Sequence, residues 1–335
     1  VILEAKDMGS NVYKVCENKD CAVFQLKDVG GEGMMTVYDV FPGVYILYND
    51  FHMEHCLSGF QPKEEMFCID HCREGRIEWQ MEQNKYIYIK AGDMQINSRV
   101  NHCQDYRFPL SHYHGITIGF CVEEAEKSLL HVMDGFSVDL RKLKEKFCPE
   151  NKAFIIRAGK QIEHIFSELY DLADQVRMQY FKIKVLELLL FLEATEVPKD
   201  NEERPYFYKS QVEKVKDIVA LLTADLEQWY TLEELSERFA FPLTSMKLCF
   251  KGVYGTTIYA YIKAYRMNAA ALMLKDSGNS IMEVAGKVGY GNASKFAAAF
   301  QSVIGMSPSQ YRKSNVRMEC LEIFRADRKN CTLYN

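Results

Sequence analysis

Apolar positions in the first third of the chain come in short runs of four to six residues, Gly43–Tyr48, Met66–Ile69, Arg76–Met81, Tyr86–Ile89 and Gly115–Phe120. Turn residues cut them apart, as at Glu74-Gly75, Gln83-Asn84 and Ala91-Gly92-Asp93. Short β-branched and aromatic runs punctuated in this way predict the strands of a small antiparallel barrel or sandwich. After Phe120 the period lengthens. Ile162, Ile165, Phe166, Leu169 and Leu172 recur at helical spacing, and so do the apolar residues from Phe181 through Leu192, which predicts amphipathic helices at 160–177 and 181–193. Their apolar stripes either pack on the barrel or meet a second copy of the chain. Pro198–Arg204 is polar, holds no large apolar residue and runs into Pro205, so neither helix nor strand should persist through it. The pattern divides the chain into 1–197, a linker at 198–209, a helical region at 210–315 and a tail at 316–335.

Within the helical region, Thr231-Leu232-Glu233-Glu234 and Ser280-Ile281-Met282-Glu283 are capping boxes, each opening a short helix. Each box leads into one copy of a degenerate repeat. Leu235 and Phe239 lead through Ala240-Phe241-Pro242 into a helix at 243–251 and then Gly255. Val284, Ala285 and Val288 lead through Gly289-Tyr290-Gly291 into a helix at 292–301 and then Gly305. A helix, a tight turn and a second helix, repeated, predict two helix-turn-helix units. Helical spacing sends Leu243, Met246 and Phe250 inward and leaves Thr244, Lys247, Leu248 and Lys251 outside. In the repeat Phe296 and Phe300 go inward, and Ser294, Ala297, Ala298 and Gln301 outward. Between the units, Tyr259–Leu274 lacks Gly and Pro and predicts one helix of about 16 residues, roughly 24 Å long. A rod of that length suits two reading helices in successive major grooves, about 34 Å apart.

Composition adds little to this picture, whereas charge changes it. The 335 residues, 48% hydrophobic and 26% charged, describe a folded globular chain of about two domains. The net charge of −5 argues against a nucleic-acid partner until it is located. Residues 241–315 carry nine basic and two acidic side chains, +7, and the remainder carries −12. A local basic surface is what phosphate binding requires, although a merely solvated basic face is the plainer alternative. Eleven cysteines, an odd number with no CxxC pair, suggest reduced thiols in a cytoplasmic protein. The apolar stretch Leu188–Leu192 is far below the roughly 20 residues of a membrane span. The chain shows no HExxH, Walker A, Rossmann or nucleophile-elbow motif, so no enzyme is expected.

Residues 212–313 resemble the DNA-binding domain of the AraC/XylS family of transcription regulators. The resemblance rests on Phe250-Lys251-x3-Gly255, Tyr265-Arg266-Met267-x2-Ala270, Ala285-x3-Gly289-Tyr290, Ser294-Lys295-Phe296-x3-Phe300 and Gly305-x-Ser307-Pro308-x2-Tyr311-Arg312. It implies an α+β chain: an N-terminal cupin-like antiparallel β-barrel with two dimerisation helices near 160–193, then an all-α domain with two helix-turn-helix units joined by a linker helix. It also implies a homodimeric activator that binds double-stranded DNA in two adjacent major grooves and answers to a small organic effector in the barrel, with no cofactor. Base edges would be read from Thr244, Ser245, Lys247 and Leu248, and from Ala293, Ser294, Ala297 and Ala298. Lys247 can donate to guanine, whereas Leu248 and the alanines offer only apolar contact. Where family members often carry long polar side chains, this chain has Leu248 and Ala298, so the second unit is expected to grip more than it discriminates. Phosphate contacts are expected from Lys251, Lys295 and the amides after Ser307-Pro308. Arg266 is expected to be a structural salt-bridge partner.

The N-terminal half more faintly resembles regulators of the pyochelin-responsive type, through Asp70–Arg76 and Glu187–Leu192. Arg73, Arg76 and His112 are the candidate polar anchors for an effector. All eight histidines lie at or before His164, in pairs such as His55-Cys56, His71-Cys72 and His102-Cys103, and His112-Tyr113-His114 places two imidazoles on one strand face. A cupin-type metalloprotein is therefore the alternative reading. Adjacent His-Cys pairs point to opposite faces, however, and isolated barrel histidines usually satisfy core hydrogen bonds, so no metal ligands are assigned.

Overall fold

The computed structural model describes residues 3–60, 62, 64–81, 84–100, 105–197, 206–275 and 279–313. His102-Cys103, most of the expected linker and the expected tail lie outside the described residues. The chain forms two compact units, Val1–Tyr206 and Phe207–Asn335.

The first unit opens with a single helical turn, α1 (Ala5–Met8), and is built on a curled antiparallel half-barrel sheet. Its strands are β1 (Val12–Glu17), β2 (Cys21–Asp28), β3 (Gly31–Phe41), β4 (Val44–Met53), β5 (His55–Leu57), β6 (Met66–Met81), β7 (Lys85–Lys90), β8 (Met94–Asn97), β9 (Asp105–Arg107), β10 (Tyr113–Cys121) and β11 (Phe154–Ile156). The main path runs β1-β2-β3-β4-β10-β6-β7, with β8 and β9 also on β6, β11 on β8 and β5 on β9.

Side chains alternate across this sheet with period two, and both faces are used. Val44, Ile46, Phe67, Ile69, Ile116, Ile118 and Phe120 face a layer of helices, α2 (Val122–Leu129), α3 (Leu140–Phe147), α4 (Lys160–Ser167) and α5 (Arg177–Ala194). Tyr45, Cys68, Cys72 and Tyr113 face the other way, into a second core with Phe24, Val37 and Phe108. Central strands buried on both faces explain why β4 and β10 read as nearly continuous apolar runs.

Two expectations need correction. The runs 66–69 and 76–81 are one 16-residue strand, β6, with no turn between them. Arg73 is an extra residue there, since His114 pairs with Glu74 and Gly115 with Cys72. Gly75 takes φ 84°, and a Cβ on it would lie 2.2 Å from the His112 carbonyl oxygen. Bulge and glycine bend the strand, which pairs with β10 before the bend and β7 after it. The helix expected over 160–177 is also interrupted. After α4 come two 3-10 turns, Glu168–Tyr170 and Asp174–Val176, before α5 begins, because Asp171 leaves helical geometry at φ −133°, ψ 50°. The α5 stripe of Phe181, Val185, Leu188, Leu189 and Leu192 packs on the sheet, while Ile183 and Leu190 stay exposed.

The second unit is helical: α6 (Lys209–Ala224), α7 (Leu232–Arg238), α8 (Leu243–Tyr254), α9 (Ile258–Lys275), α10 (Ile281–Lys287), α11 (Ala293–Ile304) and α12 (Pro308–Lys313). Among the described residues no helix is long and apolar enough to cross a membrane.

Candidate nucleic-acid interface and half-barrel cavity

The first helix-turn-helix is set by its caps. Thr231 Oγ1 accepts from the Glu234 amide at 3.1 Å, and Glu234 Oε2 accepts from the Thr231 amide at 2.7 Å. This closes the start of α7. The chain turns at Ala240, held at φ 44°, and re-enters helix at Leu243. In α8, Met246, Cys249, Phe250 and Val253 are buried, and Thr244, Lys247, Leu248 and Lys251 are exposed, with Ser245 half-buried. Gly255, at φ 78°, ends the helix in the left-handed conformation that favours glycine.

The second unit repeats the plan. Ser280 Oγ and the Glu283 carboxylate close the start of α10 in the same reciprocal way, at 3.1 and 2.6 Å. Its turn uses Gly289, at φ 81°, where a Cβ would lie 2.7 Å from Trp229 Nε1 and 2.8 Å from the Leu226 carbonyl oxygen. Trp229 Nε1 donates to the Gly289 carbonyl at 2.6 Å. In α11, Asn292 Oδ1 accepts from the Lys295 amide at 2.9 Å. Phe296, Ala299 and Phe300 are buried, Ala297 is half-buried, and Ala293, Ser294, Lys295, Ala298 and Gln301 are exposed. The two exposed rows occupy equivalent places on α8 and α11, as the spacing predicts.

Helix α9 joins the units over 18 residues, about 27 Å at 1.5 Å per residue. Arg266 sits on it at 1% exposure. Among the described residues it pairs with no carboxylate, in place of the salt bridge expected. Its Nη2 donates to the Gln228 carbonyl at 2.6 Å and its guanidinium lies 3.9 Å from the Trp229 ring centroid, so a cation–π stack takes the place of a carboxylate. Burial pushes its pKa down. The start of α12 is capped by its own side chains. Ser307 N–H donates to Gln310 Oε1 at 3.0 Å and Gln310 N–H to Ser307 Oγ at 3.3 Å, and Pro308 has no N–H. Tyr311 N–H donates to the Ser307 carbonyl at 2.9 Å, so of the amides expected to meet a phosphate those of Gln310 and Tyr311 are engaged within α12.

In the first unit the sheet wraps a cavity of about 130 Å³ lined by Leu26, Tyr45, Leu47, Phe51, Ile77, Phe108 and Tyr113 among others. Its polar lining includes Asn49, Ser58, Asp70, Gln95, Arg99 and Thr117. Asp70 binds two of these groups and Asn97 beside them, accepting from Arg99 Nη2 at 2.7 Å, Thr117 Oγ1 at 2.6 Å and Asn97 Nδ2 at 2.7 Å. Burial opposes the Arg99 charge, but the Asp70 carboxylate more than restores it and holds its pKa above the usual range.

None of the three expected anchors lines this cavity. Arg73, the bulged residue, is exposed, with its guanidinium 4.5 Å from the Tyr170 ring centroid. Arg76 is buried elsewhere on β6, at 8% exposure. His112 Nδ1 lies 3.0 Å from the Leu110 carbonyl oxygen. Arg99, which sequence reasoning did not single out, is the cationic group that faces the cavity.

Two of the described histidines contrast. His71 lies under the helices, stacked on Phe166 at 4.2 Å with Nδ1 3.2 Å from Tyr170 Oη, and burial pushes its pKa down to about 4. His114 meets Asp50 and His52. Its Nε2 is 2.8 Å from Asp50 Oδ1, and His52 Nε2 is 3.0 Å from the same oxygen. The His-x-His pair does not converge in this way, because His112 turns to the Leu110 carbonyl.

A helix-turn-helix domain family profile matches residues 235–314. The chain is 27% identical over 137 residues to the melibiose operon regulatory protein of Escherichia coli K12, covering 41% of this chain and 43% of that protein. It is 29% identical over 99 residues to a putative AraC-like transcription regulator of Streptomyces lividans, covering 30% of this chain and 33% of that one. The chain thus spans less than half the length of these curated relatives. Among solved structures, the C-terminal domain of the response regulator yesN from Fusobacterium nucleatum is 27% identical, with a TM-score of 0.27, covering 30% of this chain and 95% of that domain.

Proposed function

The chain belongs to the AraC/XylS family through its C-terminal unit, and from that premise we propose that it is a sequence-specific, effector-controlled activator of transcription that acts on double-stranded DNA in the cytoplasm. One observation carries the proposal. Two helix-turn-helix units of the same construction present equivalent exposed rows from α8 and α11 at the two ends of one rigid helix. Thr244, Ser245, Lys247 and Leu248 read bases in the first groove, Ala293, Ser294, Ala297 and Ala298 line the second, and Lys251 and Lys295 hold phosphates. Lys247 is the one long hydrogen-bond donor among the base-facing residues, so the first unit selects the site and the second grips it.

The experiment is selection of a binding site from a randomised duplex pool, followed by anisotropy titration of wild type and Thr244→Ala/Lys247→Ala. Affinity for the selected site should fall by about 10- to 100-fold, with a much smaller loss on random duplex. Sequence preference retained by the double variant overturns the assignment, and run-off transcription from the selected site tests activation.

The half-barrel, cupin-like in outline, houses the effector. A mostly apolar cavity with one Arg99-centred polar end suits a small, largely apolar organic molecule with a hydrogen-bond acceptor. A library compound that raises the melting temperature of wild type, and less so of Leu47→Trp, would support this. The exposed α5 residues Ile183 and Leu190 are the proposed homodimer contact, and sedimentation of the Ile183→Glu/Leu190→Glu chain decides it.

A further inference from the structure

We propose that Asp50, His52 and His114 form a binding site for a divalent transition-metal ion of the zinc, cobalt or nickel kind. The three side chains come from the two central strands. Asp50 and His52 are two apart on β4 and share a face, and His114 on β10 stands directly opposite Asp50 in the antiparallel register. Their ligand atoms lie within 4.8 Å of one another. The imidazoles are 5.5 Å apart and nearly perpendicular, at 87°, so they do not stack, and both Nε2 atoms approach one carboxylate oxygen.

That oxygen distinguishes the cluster from an ordinary ion pair. Asp50 Oδ1 is buried and accepts no aligned hydrogen bond, although His114 Nε2 and His52 Nε2 stand 2.8 and 3.0 Å away. Two imidazoles paired to a carboxylate through their N–H groups would each direct a hydrogen at it. Here neither ring nitrogen is aligned on that oxygen, and the two nitrogens and the oxygen lie close enough together to share one ion. A set of two imidazole nitrogens and one carboxylate oxygen suits a borderline transition metal, whereas calcium and magnesium prefer oxygen alone. Three protein ligands leave a fourth position for water. On the far side of His114, the bulge at Arg73 brings Glu74 into register with it, which places a further carboxylate on the same face.

The test uses the tag-free full-length chain, stripped with chelator and titrated with Co²⁺ and Zn²⁺ by calorimetry and visible absorption. One equivalent should bind, and Asp50→Asn, His114→Ala and His52→Gln should each weaken it at least about tenfold. His52 is 42% exposed at its side chain, so His52→Gln keeps the fold intact and the test decisive. His112→Ala should leave affinity unchanged. Absence of saturable binding overturns the proposal, as does binding that all three variants retain or that carries the intense charge-transfer absorption of cobalt bound to cysteine thiolate.

Discussion

Asp70→Ala is expected to destabilise the first unit by about 3–5 kcal/mol, the cost of removing one partner of a buried ion pair. Side-chain exposures of 11–12% for Asp70 and Arg99 leave little water to take the place of the lost carboxylate. The Thr117 hydroxyl and the Asn97 amide lose their acceptor in the same step. Asp70→Ala/Arg99→Met removes both charges and should return to within about 1 kcal/mol of wild type, because the desolvation cost goes with them. The measurement is urea unfolding of a Trp229→Phe background, in which Trp79 is the remaining tryptophan of the two and reports this unit alone. A loss below about 1 kcal/mol for Asp70→Ala would mean that the guanidinium is solvated from the cavity, and the pair would then be no more than a surface bridge. The double variant should also lose the thermal response to any effector that Arg99 anchors.

How far the sequence reveals this site depends on which contacts are local. Capping boxes, turn glycines and the spacing from Phe250 to Gly255 and from Phe300 to Gly305 are all local, and the second unit is legible to within a few residues at each helix end. The sheet is less so. Glu74-Gly75 reads as a turn because a bulge and a turn use the same residues, and only the partners of β6, distant in sequence, tell them apart. The same bulge hides the cavity lining. Asp70 faces the cavity, and strict alternation would carry that parity on to Arg76. The extra residue at Arg73 shifts it, so that Ile77 faces the cavity and Arg76 does not. Arg99 follows the end of β8 at φ 56°, an orientation no periodicity conveys. The Asp50–His114 pair depends on the register of two strands more than sixty residues apart. His-x-His is visible along a strand, whereas a ligand set across strands is not. Two further signals lie in the sequence itself: the alternation of Ala22, Phe24 and Leu26 in β2, and Asp139 capping a helix with Leu140, Leu143 and Phe147 on one face.

Phe300→Ala is expected to cost about 3–5 kcal/mol and to melt the second helix-turn-helix selectively. Phe300 is fully buried, with its ring 5.7 Å from Phe296 and 5.6 Å from Tyr311. It belongs to a core with Met267, Ala270, Val284 and Ala285. No polar contact compensates for the void, and a small helical unit has only about 5–15 kcal/mol to lose. Trp229 is the natural reporter, because its indole is tied to Gly289 and lies edge-on to Tyr290 at 5.7 Å. Its fluorescence should change at lower urea in Phe300→Ala. The effect on DNA separates grip from selection. If α8 chooses the sequence and α11 mainly holds the duplex, Phe300→Ala should weaken binding to selected and random duplexes by similar factors, leaving their ratio nearly intact. Phe250→Ala, the equivalent cut in the first unit, should collapse that ratio. A Phe300→Ala chain that loses its preference while Phe250→Ala keeps it would reverse the assignment and make α11 the reading helix, with Ser294 its only base-facing side chain able to hydrogen-bond.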